Sequence, residues 1–178
     1  MKNISFRTDV LPLKNELFRL ALRITLNREE AEDVVQETMM KVWNRRDDWE
    51  RIESIEAFCL TICRNLAVDK TRRRVKDEGL RNTDYGTRNT EYDIADTSYA
   101  SNPEEQAVQR DRIQLVRTLI NGLPEKQRSV MQLRDIEGKS YKEIAAILNI
   151  SEEQVKINIF RARQAIKQRF LEIQEYGL

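Results

Sequence analysis

The residues best suited to recognition chemistry lie between Gln154 and Gln164. Glu153, Gln154, Ile157, Arg161 and Gln164 share one helical face, with Lys156 and Asn158 on its flanks. Gln and Asn side chains can bond the major-groove edge of adenine through two atoms at once, and Arg prefers guanine or phosphate. Ile157 can contact a thymine methyl. The neighbouring residues show how such a face is held. Val155, Ile159, Ala162 and Ile166 recur at helical spacing and define its buried side. Ser140 with Glu143, and Ser151 with Gln154, each match the Ser-x-x-Glu/Gln pattern that satisfies the free N–H groups at a helix start. Between them Ala145, Leu148 and Ile150 supply buried contacts. Asn149 falls where the first helix must stop, and Asn tolerates the left-handed conformation of a stop. Residues 140–163 thus read as a helix-turn-helix, and duplex DNA is the expected partner. A solvated surface helix would explain the second helix alone, but not the first helix, the turn and both caps.

A second candidate is the segment RNLAVDKTRRRVK, Arg64 to Lys76, with six basic residues against one acid. Such a cluster follows phosphates and makes binding salt-dependent. Upstream lie Trp49 and Phe58, aromatics that could stack on unpaired bases or pack in a core. Phe58 falls on an apolar stripe, which favours packing. Trp49, in the charged stretch RRDDWER, fits either reading, and Trp43 falls on an apolar stripe. A third candidate is REEAEDVVQETMMKV, residues 28–42. Its acids share one face and Val34, Val35, Met39 and Val42 the other. Acids do not face DNA comfortably, so a protein partner is the functional alternative to plain solvation.

The elements that position these residues are helical. The chain has 178 residues, 40% hydrophobic and 34% charged, with five Gly and three Pro, so little of it is punctuated for strands. From about Pro12 to Lys76 three amphipathic stripes follow one another: Leu17, Leu20, Ala21 and Ile24; then Ala31, Val34, Val35, Met39, Val42 and Trp43, capped by Asn27 and Glu30; then Ile55, Phe58, Cys59, Ile62, Cys63 and Leu66. They make a small bundle. Residues 77–102 lose the periodicity and are polar and acidic, as a flexible linker would be. Asn102–Pro103 then resembles a cap and first helical residue. The stripe Ile113, Val116, Leu119, Ile120 and Leu123 follows, and Pro124 opens a further helix carrying Val130, Met131 and Leu133. The expected fold is all-α: a helical domain over 1–76, a flexible acidic linker over 77–102, and a helix-turn-helix domain over 103–178. A linker of about 26 residues adds roughly 28 Å of root-mean-square reach, enough to let two domains touch separate DNA sites.

Composition removes several alternatives. Lys plus Arg is 31 and Asp plus Glu 30, so net charge argues nothing about nucleic acid and the segregation of charge matters instead. The chain has no histidine, which excludes a Ser-His-Asp triad, a Cys-His pair and any His metal site. Cys59 and Cys63 lie on an apolar stripe and read as buried thiols in a reducing cytoplasm. Neither a cofactor nor a metal is expected, and an enzyme is the least favoured class. No run is long or apolar enough for a membrane span or a signal peptide, so a cytoplasmic location without membrane insertion is expected.

Together these motifs resemble a known family. AEDVVQETMMKVW followed by FCLTICRNLAVDKTRRR resembles the second conserved region of bacterial RNA polymerase sigma factors, and LPEKQRSVMQLRDIEGKSYKEIAAILNISEEQVKINIFRARQAI resembles their fourth. Having only these two regions, joined by a short linker, is similar to the extracytoplasmic-function (ECF) subfamily. The resemblance implies that Asp33, Gln36 and Glu37 bind the β′ clamp helices of core polymerase, with further contact to the β subunit. It implies that Trp49, Arg64, Asn65, Lys70, Arg72, Arg73 and Arg74 engage the −10 element, and that Gln154, Lys156, Ile157, Asn158 and Arg161 read the −35 element. Promoter DNA, core polymerase and an anti-sigma factor are the implied partners. The family commonly carries T-V-K-S-R-L before R-A-R, where this chain has Gln154-Val155-Lys156-Ile157-Asn158-Ile159. An Arg and a Ser are replaced by Asn and Ile. The change bears on the −35 preference, weakens phosphate attraction there and leaves the scaffold intact. The alternative is a helix-turn-helix regulator that binds operator DNA without polymerase.

Overall fold

Helix α1, Lys14–Thr25, follows two short helical turns, Phe6–Val10 and Leu11–Leu13, and buries Leu17, Leu20, Ala21 and Ile24 on one side. It ends where Leu26 takes a left-handed conformation, φ 54°, and returns its N–H to the Leu22 carbonyl. Asn27 then starts α2, Arg28–Asn44: its side-chain oxygen accepts from the Glu30 N–H at 3.0 Å. Helix α2 buries Ala31, Val34, Val35 and Val42. A 3-10 turn, Arg46–Arg51, leads to α3, Ile55–Gly79, whose buried side carries Cys59, Leu60, Cys63, Ala67 and Val68. The expected stripe is thus centred on its cysteines, while Ile55, Phe58, Ile62 and Leu66 are half-buried at its margin. Helices α1, α2 and α3 pack on one another as the anticipated bundle.

The structure is a computed structural model and describes residues 4–79 and 103–176. The linker expected over 77–102 lies outside these residues except at its start, where α3 continues to Gly79. Helix α4, Pro103–Asn121, opens the second half. Only the carboxyl-terminal part of its expected stripe is internal. Leu119, Ile120 and Leu123 are buried, whereas Ile113 and Val116 are exposed. The buried end meets α7, where the Arg169 guanidinium lies against Gly122. Helix α5, Glu125–Met131, runs into a π-type turn, Gln132–Ile136, and together they bury Val130 and Leu133.

Helices α6, Tyr141–Leu148, and α7, Glu152–Tyr176, form the helix-turn-helix. The Ser140 side chain accepts from the Glu143 N–H and the Glu143 carboxylate accepts from the Ser140 N–H, closing the capping box. Burial counts for little at Glu143; hydrogen bonds from the Ser140 hydroxyl and N–H hold its carboxyl below the usual range. Asn149 adopts φ 52°, the left-handed stop expected of it. Ile144, Ile147 and Leu148 are buried, with Ala145 and Ile150 half-buried beside them.

The two halves are in contact. Helix α5 and the following turn lie on α1, and α6 lies on α3. Buried side chains of both halves form one continuous apolar cluster, to which the second contributes Val130, Leu133, Ile144, Ile147 and Leu148.

Candidate nucleic-acid interface

Val155, Ile159 and Ala162 are buried, so α7 faces outward along the line predicted from its period. Its first turn is spent on local structure. The Ser151 N–H donates to Gln154 Oε1 at 3.2 Å and the Gln154 N–H donates to Ser151 Oγ at 3.1 Å. The Gln154 side chain thus caps the helix, and its amide oxygen is engaged. Asn158 Nδ2 donates to the Gln154 carbonyl at 2.7 Å, leaving a half-buried amide with a donor occupied. Lys156, Ile157 and Arg161 remain outward, Lys156 with its ammonium 6.0 Å from the Tyr141 ring centre.

Sequence reasoning missed Phe160. Its side chain is 65% exposed on the same face as Ile157, which is 47% exposed. The available signal was an aromatic residue standing off the 155–159–162–166 stripe, where a polar residue belongs.

The α3 candidates divide three ways. Asn65, Arg72 and Arg73 are exposed. Lys70 and Arg74 are tied to α2: Lys70 pairs with Asp33 at 2.8 Å, and Arg74 pairs with Glu30 at 2.7 Å while also donating to the Thr25 carbonyl. Arg64 is mostly covered, its guanidinium 3.8 Å from Glu125 of the second half and its Nε buried without a partner.

Trp49 is buried, which corrects the expectation that it offers a ring to an unpaired base. The 3-10 turn folds it back so that Nε1 donates to the Val42 carbonyl at 3.1 Å. Its ring stacks with Phe6 and meets Trp43 edge-on. Trp43, read from its stripe as packing, is instead 47% exposed, with the Arg46 guanidinium 5.1 Å from its ring centre.

On α2, Asp33, Gln36 and Glu37 are exposed together, as the period required. Glu37 pairs with Lys41 at 3.1 Å, one turn on. Met40, 65% exposed, continues the same face and was not singled out in the sequence. The thiols of Cys59 and Cys63 are buried and free, and burial pushes both up to about 12. At neutral pH they are inert. Among the described residues no cluster of three or more His, Cys, Asp or Glu is arranged for a metal, and no helix is long and apolar enough to cross a membrane.

A helical bundle with an acidic face and a basic helix, carried with a helix-turn-helix on one chain, defines a DNA-binding protein that also has a surface for a protein partner. Comparison with known proteins narrows the class. The family described as Sigma-70 region 2 matches residues 10–76, and Sigma-70 region 4 matches residues 113–166. The ECF RNA polymerase sigma-E factor of Escherichia coli K12 is 31% identical over 134 residues, 75% of this chain and 70% of that protein. The ECF RNA polymerase sigma factor SigW of Bacillus subtilis is 28% identical over 160 residues, 90% of this chain and 86% of its own length. Among solved structures, the sigma factor RpoE in complex with the anti-sigma factor NepR from Bartonella quintana matches with a TM-score of 0.74 and 25% identity, covering 94% of this chain and 97% of that one. CnrH in complex with the cytosolic domain of CnrY shares the fold at a TM-score of 0.63. The chain belongs to the ECF family of RNA polymerase sigma factors, proteins that direct promoter recognition.

Proposed function

We propose that this sigma factor joins core polymerase through the α2 face formed by Asp33, Gln36, Glu37 and Met40. It meets the −10 element through the exposed part of α3, Asn65, Arg72 and Arg73, with Arg64 joining when uncovered. It reads the −35 duplex through Lys156, Ile157, Phe160 and Arg161 of α7. One observation carries the reading: the acidic face and the two DNA-facing helices are separately exposed on a single chain.

The mechanism is differential binding in the cytoplasm, without chemistry on a substrate. Unstacking a base costs a few kcal/mol, and single-strand capture at the −10 site offsets it by favouring the melted form. At the −35 site, Ile157 and Phe160 offer apolar contact to thymine methyls while Lys156 and Arg161 meet phosphate or guanine. An anti-sigma factor is the natural regulator, since the similar sigma factor RpoE was solved in complex with the anti-sigma factor NepR.

Run-off transcription with core polymerase is the test. Promoter-specific transcripts are expected only when this chain is added. Tight operator binding by the chain alone, with no transcript when polymerase is present, would show an independent regulator instead.

A further inference from the structure

Two open clefts differ in how their cations are used. One lies between α2 and α3. Its cations stand against acids: Lys41 pairs with Glu37, Lys70 with Asp33 and Arg74 with Glu30. Such a surface offers little to an incoming charge. The other, of about 480 Å³, lies where α3 meets the second half. Arg64, Asn65 and Arg72 stand on its α3 wall, and Lys126 joins them from the first turn of α5. The end of α6 and the turn after it, residues 146–150, form the opposite wall. The walls are held from outside the cleft. Arg19 donates twice to the Glu137 carboxylate, both at 2.7 Å, and Lys139 sits between Glu16 at 2.9 Å and Glu56.

The cations of this second cleft are not neutralised. Arg72 and Lys126 are exposed and have no ion pair among the described residues. The Arg64 side chain keeps only 16% exposure, and its guanidinium is 3.8 Å from Glu125. That carboxylate also accepts from the Ser129 hydroxyl at 2.8 Å. Arg64 Nε is buried with no hydrogen-bond partner. A buried donor left unmade is costly, and more so on a charged group, so Arg64 is a donor in want of an acceptor.

The opposite wall has the other sign. Helix α6 ends there, at Asn149, with the negative end of its dipole and its last carbonyls. The N–H groups of Asn149 and Ile150 return to the carbonyls of Ala145 and Ala146. The carbonyls of Ile147 and Leu148 receive no hydrogen bond among the described residues. Ile147, Leu148 and Ile150 add apolar surface between the walls. A matching ligand is anionic at one end and carries N–H donors on a flat, partly apolar body at the other. Inorganic phosphate satisfies only the first wall.

We infer that this cleft binds a purine nucleoside triphosphate, guanine being the best matched base: the phosphates lie on Arg64, Arg72 and Lys126, and the base lies against residues 146–150. The guanidinium fork of Arg64 suits phosphate oxygens. Guanine presents two adjacent N–H donors on one edge, the number of open carbonyls on α6. The volume falls within the roughly 300–1,000 Å³ of small-molecule sites. Arg64 and Arg72 also belong to the proposed −10 surface, whereas Lys126 and the α6 wall do not. Nucleotide binding is read without polymerase or promoter, so its failure and a failure of the promoter reading are separate results.

Isothermal calorimetry on the full chain tests this, with GTP and sodium tripolyphosphate as probes, at about 0.15 M salt and without divalent ions. One GTP per chain is expected to bind. Tripolyphosphate carries the charge without the base and should bind at least about tenfold more weakly. Arg64→Ala and Lys126→Ala should each weaken GTP at least about tenfold, while melting temperatures show both proteins folded. Arg73→Ala removes a cation of the same helix that lines the other cleft, and should leave GTP affinity within about twofold. No saturable GTP binding up to about 1 mM overturns the site. Equal binding of GTP and tripolyphosphate reduces it to a plain anion site and overturns the nucleotide. Equal loss in Arg73→Ala and Arg64→Ala means diffuse attraction and overturns the cleft.

Discussion

Trp49 separates structural aromatics from recognition aromatics. Truncating it to Ala removes a ring that is 5% exposed and packed between Phe6 and Trp43. Loss of a buried aromatic costs about 3–5 kcal/mol, a large share of a total of about 5–15. Trp49→Phe removes the hydrogen bond together with part of the buried ring. The Val42 carbonyl would lose Nε1 but keep the Arg45 N–H at 3.2 Å, so it is not orphaned. The cost should be about 2–3 kcal/mol, about 1 from the bond and the rest from the space the smaller ring leaves, or about 4–12 °C in melting temperature for a chain of this size. Trp43→Ala, at a half-exposed site, should cost less than Trp49→Ala. The assay pairs urea denaturation with promoter opening, followed by permanganate reactivity of unpaired thymines at saturating holoenzyme. Trp49→Phe should open the promoter normally. A Trp49→Phe protein that is fully folded at the assay temperature but whose opening falls tenfold or more would refute the burial argument.

The other predictions concern the three recognition surfaces and one cap. Charge reversal, Asp33→Lys with Glu37→Lys, should abolish co-purification with core polymerase without unfolding the chain, checked by pull-down and circular dichroism. Phe160→Ala should change stability by less than about 0.5 kcal/mol, because the ring is largely in water. In the holoenzyme it should weaken −35 duplex binding and remove any penalty for replacing thymine by uracil, which deletes only the methyl. That penalty is about fourfold per contacted methyl at roughly 0.8 kcal/mol, measured by competition binding. At Glu143 the folded carboxyl lies below its ordinary value, so its contribution is present above the ordinary value and lost as pH falls through the folded one. Melting temperatures of wild type and Glu143→Ala should therefore differ at pH 7 and converge in acid.

What was legible in the sequence was what local geometry decides. Ser140 with Glu143, Asn27 with Glu30 and the left-handed Asn149 are settled within four residues, so spacing alone finds them. The stripes of α1 and α2 were legible because a helix repeats its inward face every 3.6 residues. The tryptophans were not, because periodicity ends with α2 and the 3-10 turn that follows reverses which ring is inside. The outer half of the α4 stripe was not, because apolar spacing shows a face and not what meets it. The pairing of Arg19 with Glu137 was not, because the two are 118 positions apart and neither is unusual alone.

The same structure changes what the recognition helix can be expected to read. Amide pairing with adenine was the natural reading of Gln154 and Asn158. Gln154 is engaged in the capping box and Asn158 in a backbone bond. Using either for a base requires breaking a local contact worth about 1 kcal/mol, which subtracts directly from discrimination. The atoms that reach outward at no such cost belong to Lys156, Ile157, Phe160 and Arg161. Two are cationic and two apolar, so affinity should come from phosphate contact and specificity from thymine methyls. Few cations face the duplex there, so the logarithm of −35 affinity should fall with the logarithm of salt at a slope no steeper than about −2. A markedly steeper slope that persists in Lys156→Ala/Arg161→Ala would mean that other cations carry the contact and that the reading of these two residues is wrong.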